Sequence, residues 1–188
     1  MAKTIRIELS TESIEKARKE LERYEKKLTA LTAKINNTLL DKAKEEFENQ
    51  LNSPFVTPAR AAAITSAVDY GTTSSNRSSG TFTATGRNED TGFNILYGVE
   101  FGAGAALNGT QGNPVASEFG MGPGSFSPKG HWNDPEGWYY PTGEVDENGK
   151  PKYKKTMGTY AAYPVYNTAR FIEREGTQIA KEVVEEWL

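Results

Sequence analysis

The feature that most constrains the fold is a helical pattern that runs from Thr11 to Leu51. Its apolar residues first alternate at spacings of three and four, which is a heptad seam: Ile14, Ala17, Leu21, Tyr24, Leu28, Leu31 and Ile35. The spacing then becomes four by four, through Leu39, Ala43, Phe47 and Leu51. A four-residue step drifts around a helix, so we expect either a rotated seam or a break near Asn36 and Asn37. Ser10 or Thr11 is the expected N-cap.

An unbroken helix over residues 11–51 would be about 60 Å long, at about 1.5 Å per residue. One face of a small domain cannot cover that length. Two interpretations of the apolar stripe therefore remain open. The whole helix packs on its own domain with its charges in solvent, or part of the stripe is reserved for neighbouring subunits.

The rest of the chain predicts short strands, an irregular insertion and a second helix. Alternating side chains predict a strand over residues 4–9, and residues 59–71 fit either a strand or a short helix followed by one. The clearest alternation covers residues 93–101, so we expect residues 81–97 to form a hairpin that turns at Arg87–Gly92. A helix is expected after Pro164, with a buried stripe that begins at Val165 and Ala169 and ends at Trp187.

The predicted fold class is α+β, with a small antiparallel sheet packed against a long N-terminal helix and a C-terminal helix. We expect one domain over residues 1–188. Within it, residues 1–51 form a strand and the long helix, 52–101 the sheet, 102–160 an extended Gly/Pro/aromatic loop, and 161–188 the C-terminal helix. So long a loop in a compact domain is usually functional or ordered by a partner.

Composition excludes several classes of protein. The chain has no cysteine, which rules out disulfides, thiolate metal sites and cysteine nucleophiles. No apolar run approaches the roughly 18–20 residues of a membrane span, and the N-terminus lacks the apolar region of a secretory signal. Residues 51–149 hold four basic and ten acidic side chains. The centre of the chain should therefore repel phosphate rather than bind nucleic acid.

The stretch "GHWNDPEGWYYPTGE", Gly130 to Glu144, concentrates the chain's rare residues. His131, Asp134 and Glu136 could form a metal or acid–base site, but His131 is the only histidine in the chain. Metal sites need several ligands that converge from more than one element. We therefore predict no catalytic residue, no metal ligand and no cofactor.

The aromatic side chains of this stretch allow three interpretations. They could stack on a sugar beside Asp134 and Glu136, cover the protein's own core, or anchor another protein. Large aromatic rings on a Gly/Pro loop offer much contact area at low entropic cost, and such rings are typical interface hot spots. We predict a partner interface that contains Trp132, Trp138, Tyr139, Tyr140, Phe101 and Trp187.

Three segments together resemble one protein family. "ILYGVEFGAG" (Ile95–Gly104) resembles a strand with the pattern Y-x-x-x-V-E-F-G-T-G, and a Gly/Pro-rich loop with "GWYYPTGE" (Gly137–Glu144) follows it. "YPVYNTARFIE" (Tyr163–Glu173) is similar to the family's R-P-F-M-Y-N-T-A helix start. The family is the neck group of long-tailed bacteriophages and prophages, which comprises head–tail joining and tail-completion proteins, also described as minor capsid or minor tail components.

The resemblance implies a virion structural protein without catalytic activity. Copies would form a homo-oligomeric ring in the neck, between the head connector or stopper and the tail tube or tail terminator. DNA would pass through the ring without specific binding, and the particle would be assembled in the bacterial cytoplasm. Two alternatives remain, a standalone α+β adaptor or scaffold with a coiled-coil surface, and a carbohydrate-binding module.

Overall fold

The computed structural model describes residues 10–87, 94–102, 113–119, 136–158 and 160–187. The helices in these ranges are α1 (Thr11–Leu51), α2 (Pro58–Ala62), α3 (Ile95–Phe101) and α4 (Pro164–Trp187), with a 3-10 turn at Ala116–Phe119. The strands are β1 (Thr65–Asp69), β2 (Thr81–Thr85), β3 (Trp138–Val145) and β4 (Pro151–Thr156). β1 pairs with β2, and β3 pairs with β4. The predicted α+β class is confirmed, while the strand predicted over residues 4–9 lies outside the described residues.

Helix α1 is continuous, so the alternative of a break near Asn36 is wrong. Ser10 caps its start as predicted, because the Ser10 hydroxyl accepts from the Ser13 N–H at 3.2 Å and its carbonyl accepts from Ile14 at 3.0 Å. The Asn36 side chain lies beside the apolar seam and donates to the carbonyl oxygen of Tyr70 at 3.3 Å.

The prediction of a strand over residues 93–101 is wrong, and the strand implied by the family resemblance fails with it. Residues 95–101 form α3, and the Asn94 side chain caps it by accepting from the Tyr97 N–H at 3.3 Å. Gly102, at φ 72°, ends the helix. Leu96, Val99 and Glu100 are buried, and their spacing of three and four is helical. Burial of this face of α3 therefore stabilises a helix where the alternating pattern predicted a strand.

The predicted hairpin over residues 81–97 is therefore wrong as well. Residues 81–85 do form a strand, but β2 pairs with β1. For residues 59–71 the alternative of a short helix followed by a strand is confirmed, since α2 comes before β1. The expected loop over residues 102–160 also contains regular structure, the antiparallel β3–β4 hairpin.

Helix α4 confirms the prediction of a helix after Pro164, but its buried stripe is rotated at the start. Val165 is 41% exposed and Ala169 is exposed, whereas Pro164 and Thr168 are buried. Farther along, Val183 is buried as predicted and Trp187 is 41% exposed.

The chain divides into two compact units, and α1, α4 and the β1–β2 hairpin contribute to both. The first unit takes α1 up to Lys42, residues Val68–Phe82, and α4 from Glu173. Here the polar turn of the β1–β2 hairpin lies on α1. Thr32 donates to the carbonyl of Ser75 at 3.3 Å, and the Tyr70 hydroxyl donates to Asp41 at 2.7 Å.

The second unit contains residues Ala43–Ala67 and Thr83–Ile172 in their described parts, and it holds most of the buried apolar side chains. Phe47, Val99 and Pro164 are its largest fully buried residues. The end of α3 is tied to the chain before α4, because the Ala162 N–H donates to the carbonyl of Val99 at 2.8 Å.

Candidate interaction surface

A buried carboxylate, Glu100, organises the second unit around the start of α4. Glu100 is 6% exposed and accepts the backbone N–H of Val165 at 2.8 Å and of Tyr166 at 2.9 Å. The Asn113 side chain donates to the same carboxylate at 2.8 Å. The first N–H groups of a helix have no partner within the helix, and they carry the positive end of its dipole. Glu100 therefore caps α4 across 65 residues of sequence.

Burial raises the pKa of the Glu100 carboxyl above its usual range, while the hydrogen bonds from Val165, Tyr166 and Asn113 act to lower it. Both carboxylate oxygens are already engaged by N–H donors. Among the described residues, no group of three or more His, Asp or Glu side chains could hold a metal ion. The geometry of Glu100 is that of a cap that joins three segments.

A row of aromatic rings lies beside this cap. The Tyr97 and Phe101 ring centroids are 6.0 Å apart in an edge-on arrangement, and those of Phe101 and Phe119 are 6.0 Å apart. Tyr97 is 52% exposed and Phe119 is 67% exposed. The row is attached to the cap, since Glu100 and Phe101 are adjacent and Asn113 holds the segment that ends in Phe119. Large apolar side chains that are fixed yet exposed indicate a contact surface.

Asn113 connects the row to the cap through both ends of its amide. Its nitrogen donates to Glu100, and its oxygen accepts from the Val115 N–H at 3.0 Å, which starts the 3-10 turn that carries Phe119. The row therefore depends on a buried polar network as well as on ring contacts.

The β3–β4 hairpin is the second exposed feature of this unit. Between Thr142 and Lys155 every residue is exposed except Asp146, which is half-buried. Asp146 orders the turn, since its carboxylate accepts from the N–H groups of Asn148 at 2.8 Å and Lys150 at 2.9 Å. A two-stranded hairpin with both faces in water is marginally stable at best. Contact with another protein surface would stabilise the β3–β4 hairpin.

The hairpin register places two exposed tyrosines on one face. Tyr139 pairs with Lys155, and Tyr153 lies two residues before Lys155 on β4, so these three residues share a face. Tyr139 is 65% exposed and Tyr153 is 61% exposed. Tyr153 was not among the predicted interface residues, although its place in an alternating run between lysines was a signal for it.

The predicted interface residues lie in different places. Trp132 lies outside the described residues, as do His131 and Asp134. Trp138, Tyr139 and Tyr140 begin β3, and of these Tyr139 is shown to be exposed. Phe101 lies on α3 within the aromatic row. Trp187 ends α4 in the first unit, where the Lys34 ammonium lies 5.9 Å from its ring centre and 3.4 Å from Glu186.

Sequence reasoning missed Tyr97, Phe119 and the cap formed by Glu100. A cap signal was present, since Asn94 precedes and Gly102 follows a run with helical spacing at Leu96 and Val99. Nothing in the sequence pairs Glu100 with the start of α4.

The helices in the described ranges do not combine the length and apolar character needed to cross a bilayer.

Comparison with known proteins adds no identification. No protein-family model, curated protein or solved structure matches the chain.

Proposed function

We propose that this chain is a structural subunit of the neck of a tailed bacteriophage or phage-like particle, without catalytic activity. Copies form a homo-oligomeric ring that joins the head connector or stopper to the tail tube or tail terminator. The ring continues the channel through which DNA passes. The assembled protein resides in the virion, after assembly in the bacterial cytoplasm.

The observation that carries this proposal is the exposed row formed by Tyr97, Phe101 and Phe119. Rings that a buried network holds in place lose little conformational entropy when a partner covers them, and they supply a large apolar area. A subunit that completes its fold in an assembly would present such a row. The Gly/Pro/aromatic segment that resembles neck proteins lies in the same unit.

The hairpin and the charge distribution add support. The exposed β3–β4 hairpin is a natural element to add to a neighbouring subunit, through its free strand edges and its two tyrosines. The acidic excess of residues 51–149 suits the wall of a channel that must release DNA, because basic walls would bind phosphates.

The test is complementation of particle assembly with the full chain. Particles that lack the subunit would be supplied with the wild type, with Tyr97→Ala/Phe119→Ala, or with the matched control Phe55→Ala. Phe55 is also exposed, at 54%, and also contacts a second ring, that of Tyr160 at 5.9 Å. We expect the double variant to lower the yield of tailed particles at least tenfold, while the control supports normal yield.

Full yield with the double variant, and circular dichroism equal to that of the wild type, would contradict the role of the row. Location is tested separately by labelling purified particles with an antibody to this chain and examining them by electron microscopy. Label at the junction of head and tail is expected. Label elsewhere, or on no particle, would overturn the proposal.

A second candidate, an adaptor with a coiled-coil surface, is favoured by the exposed apolar residues at the start of α1. An adaptor would form a small closed oligomer and would be absent from particles, so the labelling experiment distinguishes the two candidates.

A further inference from the structure

The first half of α1 carries an apolar seam whose large residues near its start are exposed, although the smaller Ala17 between them is buried. Ile14 is 54% exposed, Leu21 is 56% exposed and Tyr24 is 61% exposed. All residues from 21 to 27 are exposed, so this part of the helix has solvent on every side. Leu28 and Leu31 continue the same seam with partial exposure. A heptad seam of this kind packs against another helix by inserting its side chains between those of the partner.

The charges that flank the seam identify the partner helix. In the heptad that places Ile14, Leu21 and Leu28 at position a, Arg18 and Glu25 occupy position e, and Glu20 and Lys27 occupy position g. Residues at e and g lie beside the apolar seam and set the orientation and register of the pairing. Each side of the seam therefore carries one acidic and one basic residue, seven positions apart.

A parallel pair in register would be repulsive. In that arrangement a g residue faces the e residue five positions later in the partner helix. Glu20 would then face Glu25 of the second copy, and symmetry would repeat this contact. The remaining charged positions would face Ser13 or Thr32, which offer no compensating charge.

An antiparallel pair can place every flanking charge against its opposite. When Leu21 lies opposite Tyr24 of the second copy, e residues face e residues and g residues face g residues. Arg18 then faces Glu25, and Glu20 faces Lys27. Symmetry repeats each contact, so four attractive pairs flank the seam.

Neighbouring antiparallel registers lack this match. A shift of one heptad towards the N-terminus sets Arg18 against Arg18 and Glu20 against Glu20 of the second copy. A shift the other way sets Glu25 against Glu25 and Lys27 against Lys27. The charge pattern therefore selects one register of one orientation.

We propose that two copies of this chain pair through residues 14–31 of α1, antiparallel, with Leu21 opposite Tyr24 and Ile14 opposite Leu31. Ala17 is already buried within one subunit, at 6% exposed, so the area gained comes from the larger residues. Arg18 has exposed partners in its own helix, Glu15 at 2.8 Å and Glu22 at 3.8 Å. Such exposed pairs are weak, and a second copy can compete for them.

The pairing is symmetric and closes at two copies, whereas a ring needs a head-to-tail contact. It therefore goes beyond the proposed neck function and does not rest on it. The pairing and the aromatic row use different residues, so the two surfaces can be tested independently.

The discriminating experiment is sedimentation equilibrium of the full chain and of Glu25→Lys. The wild type should show a reversible dimer, about twice the 20.7 kDa of one chain. In the antiparallel pair, Glu25→Lys replaces two attractions by repulsion from Arg18, so dimerisation should weaken about tenfold. In a parallel pair the same change would set the introduced lysine against Glu20 and strengthen the dimer.

Arg18→Glu/Glu25→Lys should restore the dimer, because it reverses both members of each pair. The matched control is Glu22→Lys, which makes the same charge change away from the seam and should leave dimerisation within about twofold of the wild type. Circular dichroism checks that each variant keeps its helix. A monomeric wild type, a tighter Glu25→Lys dimer, or no rescue by the double variant would overturn the proposal.

Discussion

Replacing Glu100 by glutamine tests whether a buried cap holds the second unit together. Glutamine has nearly the same size and shape, so Glu100→Gln leaves no cavity. Its one carbonyl oxygen can still accept from Tyr166 and Asn113, the two donors to one carboxylate oxygen. Its amide nitrogen then meets the Val165 N–H, which the other carboxylate oxygen accepts at 2.8 Å in the native chain.

The expected loss of stability comes mainly from the Val165 N–H, which loses its acceptor. A buried N–H that loses its acceptor costs about 1–3 kcal/mol. At neutral pH, loss of a negative charge at the start of a helix adds about 0.3–1 kcal/mol, and relief from burying the charge opposes it. Near pH 4 neither contribution applies, because burial raises the pKa of Glu100 and the carboxyl is largely protonated there. We expect Glu100→Gln to lower the free energy of unfolding by about 2 kcal/mol near pH 4, or Tm by about 4–8 °C in a chain of this length.

The pH dependence has an unusual direction. Because burial raises the pKa of Glu100 in the folded chain, the native state binds this proton more tightly than the unfolded state. The resulting stability is fully present below the ordinary glutamate pKa of about 4.3, and it decreases as pH rises through the folded pKa. Glutamine does not titrate. The difference in unfolding free energy between wild type and Glu100→Gln should therefore be smaller near pH 7 than near pH 4.

Urea unfolding followed by circular dichroism at the two pH values measures this difference. The control is Glu118→Gln, an exposed carboxylate of the same unit, which should change stability by less than about 0.5 kcal/mol. A difference that widens towards neutral pH would mean that the hydrogen bonds outweigh burial. Equal stability of wild type and Glu100→Gln at both pH values would refute the capping role itself.

Three further predictions concern single sites. Gly71→Ala should destabilise by at least about 1 kcal/mol more than Gly149→Ala. Both glycines have positive φ, but a Cβ at Gly71 would collide with a carbonyl across the hairpin, whereas nothing lies near one at Gly149; thermal unfolding compares them. Ser53→Ala should leave stability unchanged or raise it by up to about 1 kcal/mol in urea unfolding, because among the described residues the Ser53 hydroxyl is a buried group without a hydrogen-bond partner. The hydrogen bond to Asp41 raises the pKa of the Tyr70 phenol above its usual range, so Asp41→Asn should lower that pKa in an NMR titration.

The candidate surface was predictable only in part. Tyr139 and Phe101 could be chosen from residue type and from a Gly/Pro-rich setting. Tyr97 and Phe119 could not, because their exposure depends on which face of α3 is buried and on where Asn113 holds the 3-10 turn. The residues before Phe101 fit a strand by their alternation and a helix by the spacing of Leu96, Val99 and Glu100, and only the buried face distinguishes the two.

The sequence by itself determined the long first helix, its start at Ser10 or Thr11, the strand at residues 81–85 and the helix after Pro164, because caps, prolines and apolar spacing act within a few residues. Tertiary structure decided the partner of that strand, the helical state of residues 95–101 and the burial of Glu100. Each of these depends on contacts between distant segments, where the free energy of burial and of satisfying helix N–H groups exceeds local preference. Glu100 shows the difference most clearly, since its role as a helix cap depends on two N–H groups that are 65 and 66 residues farther along the chain.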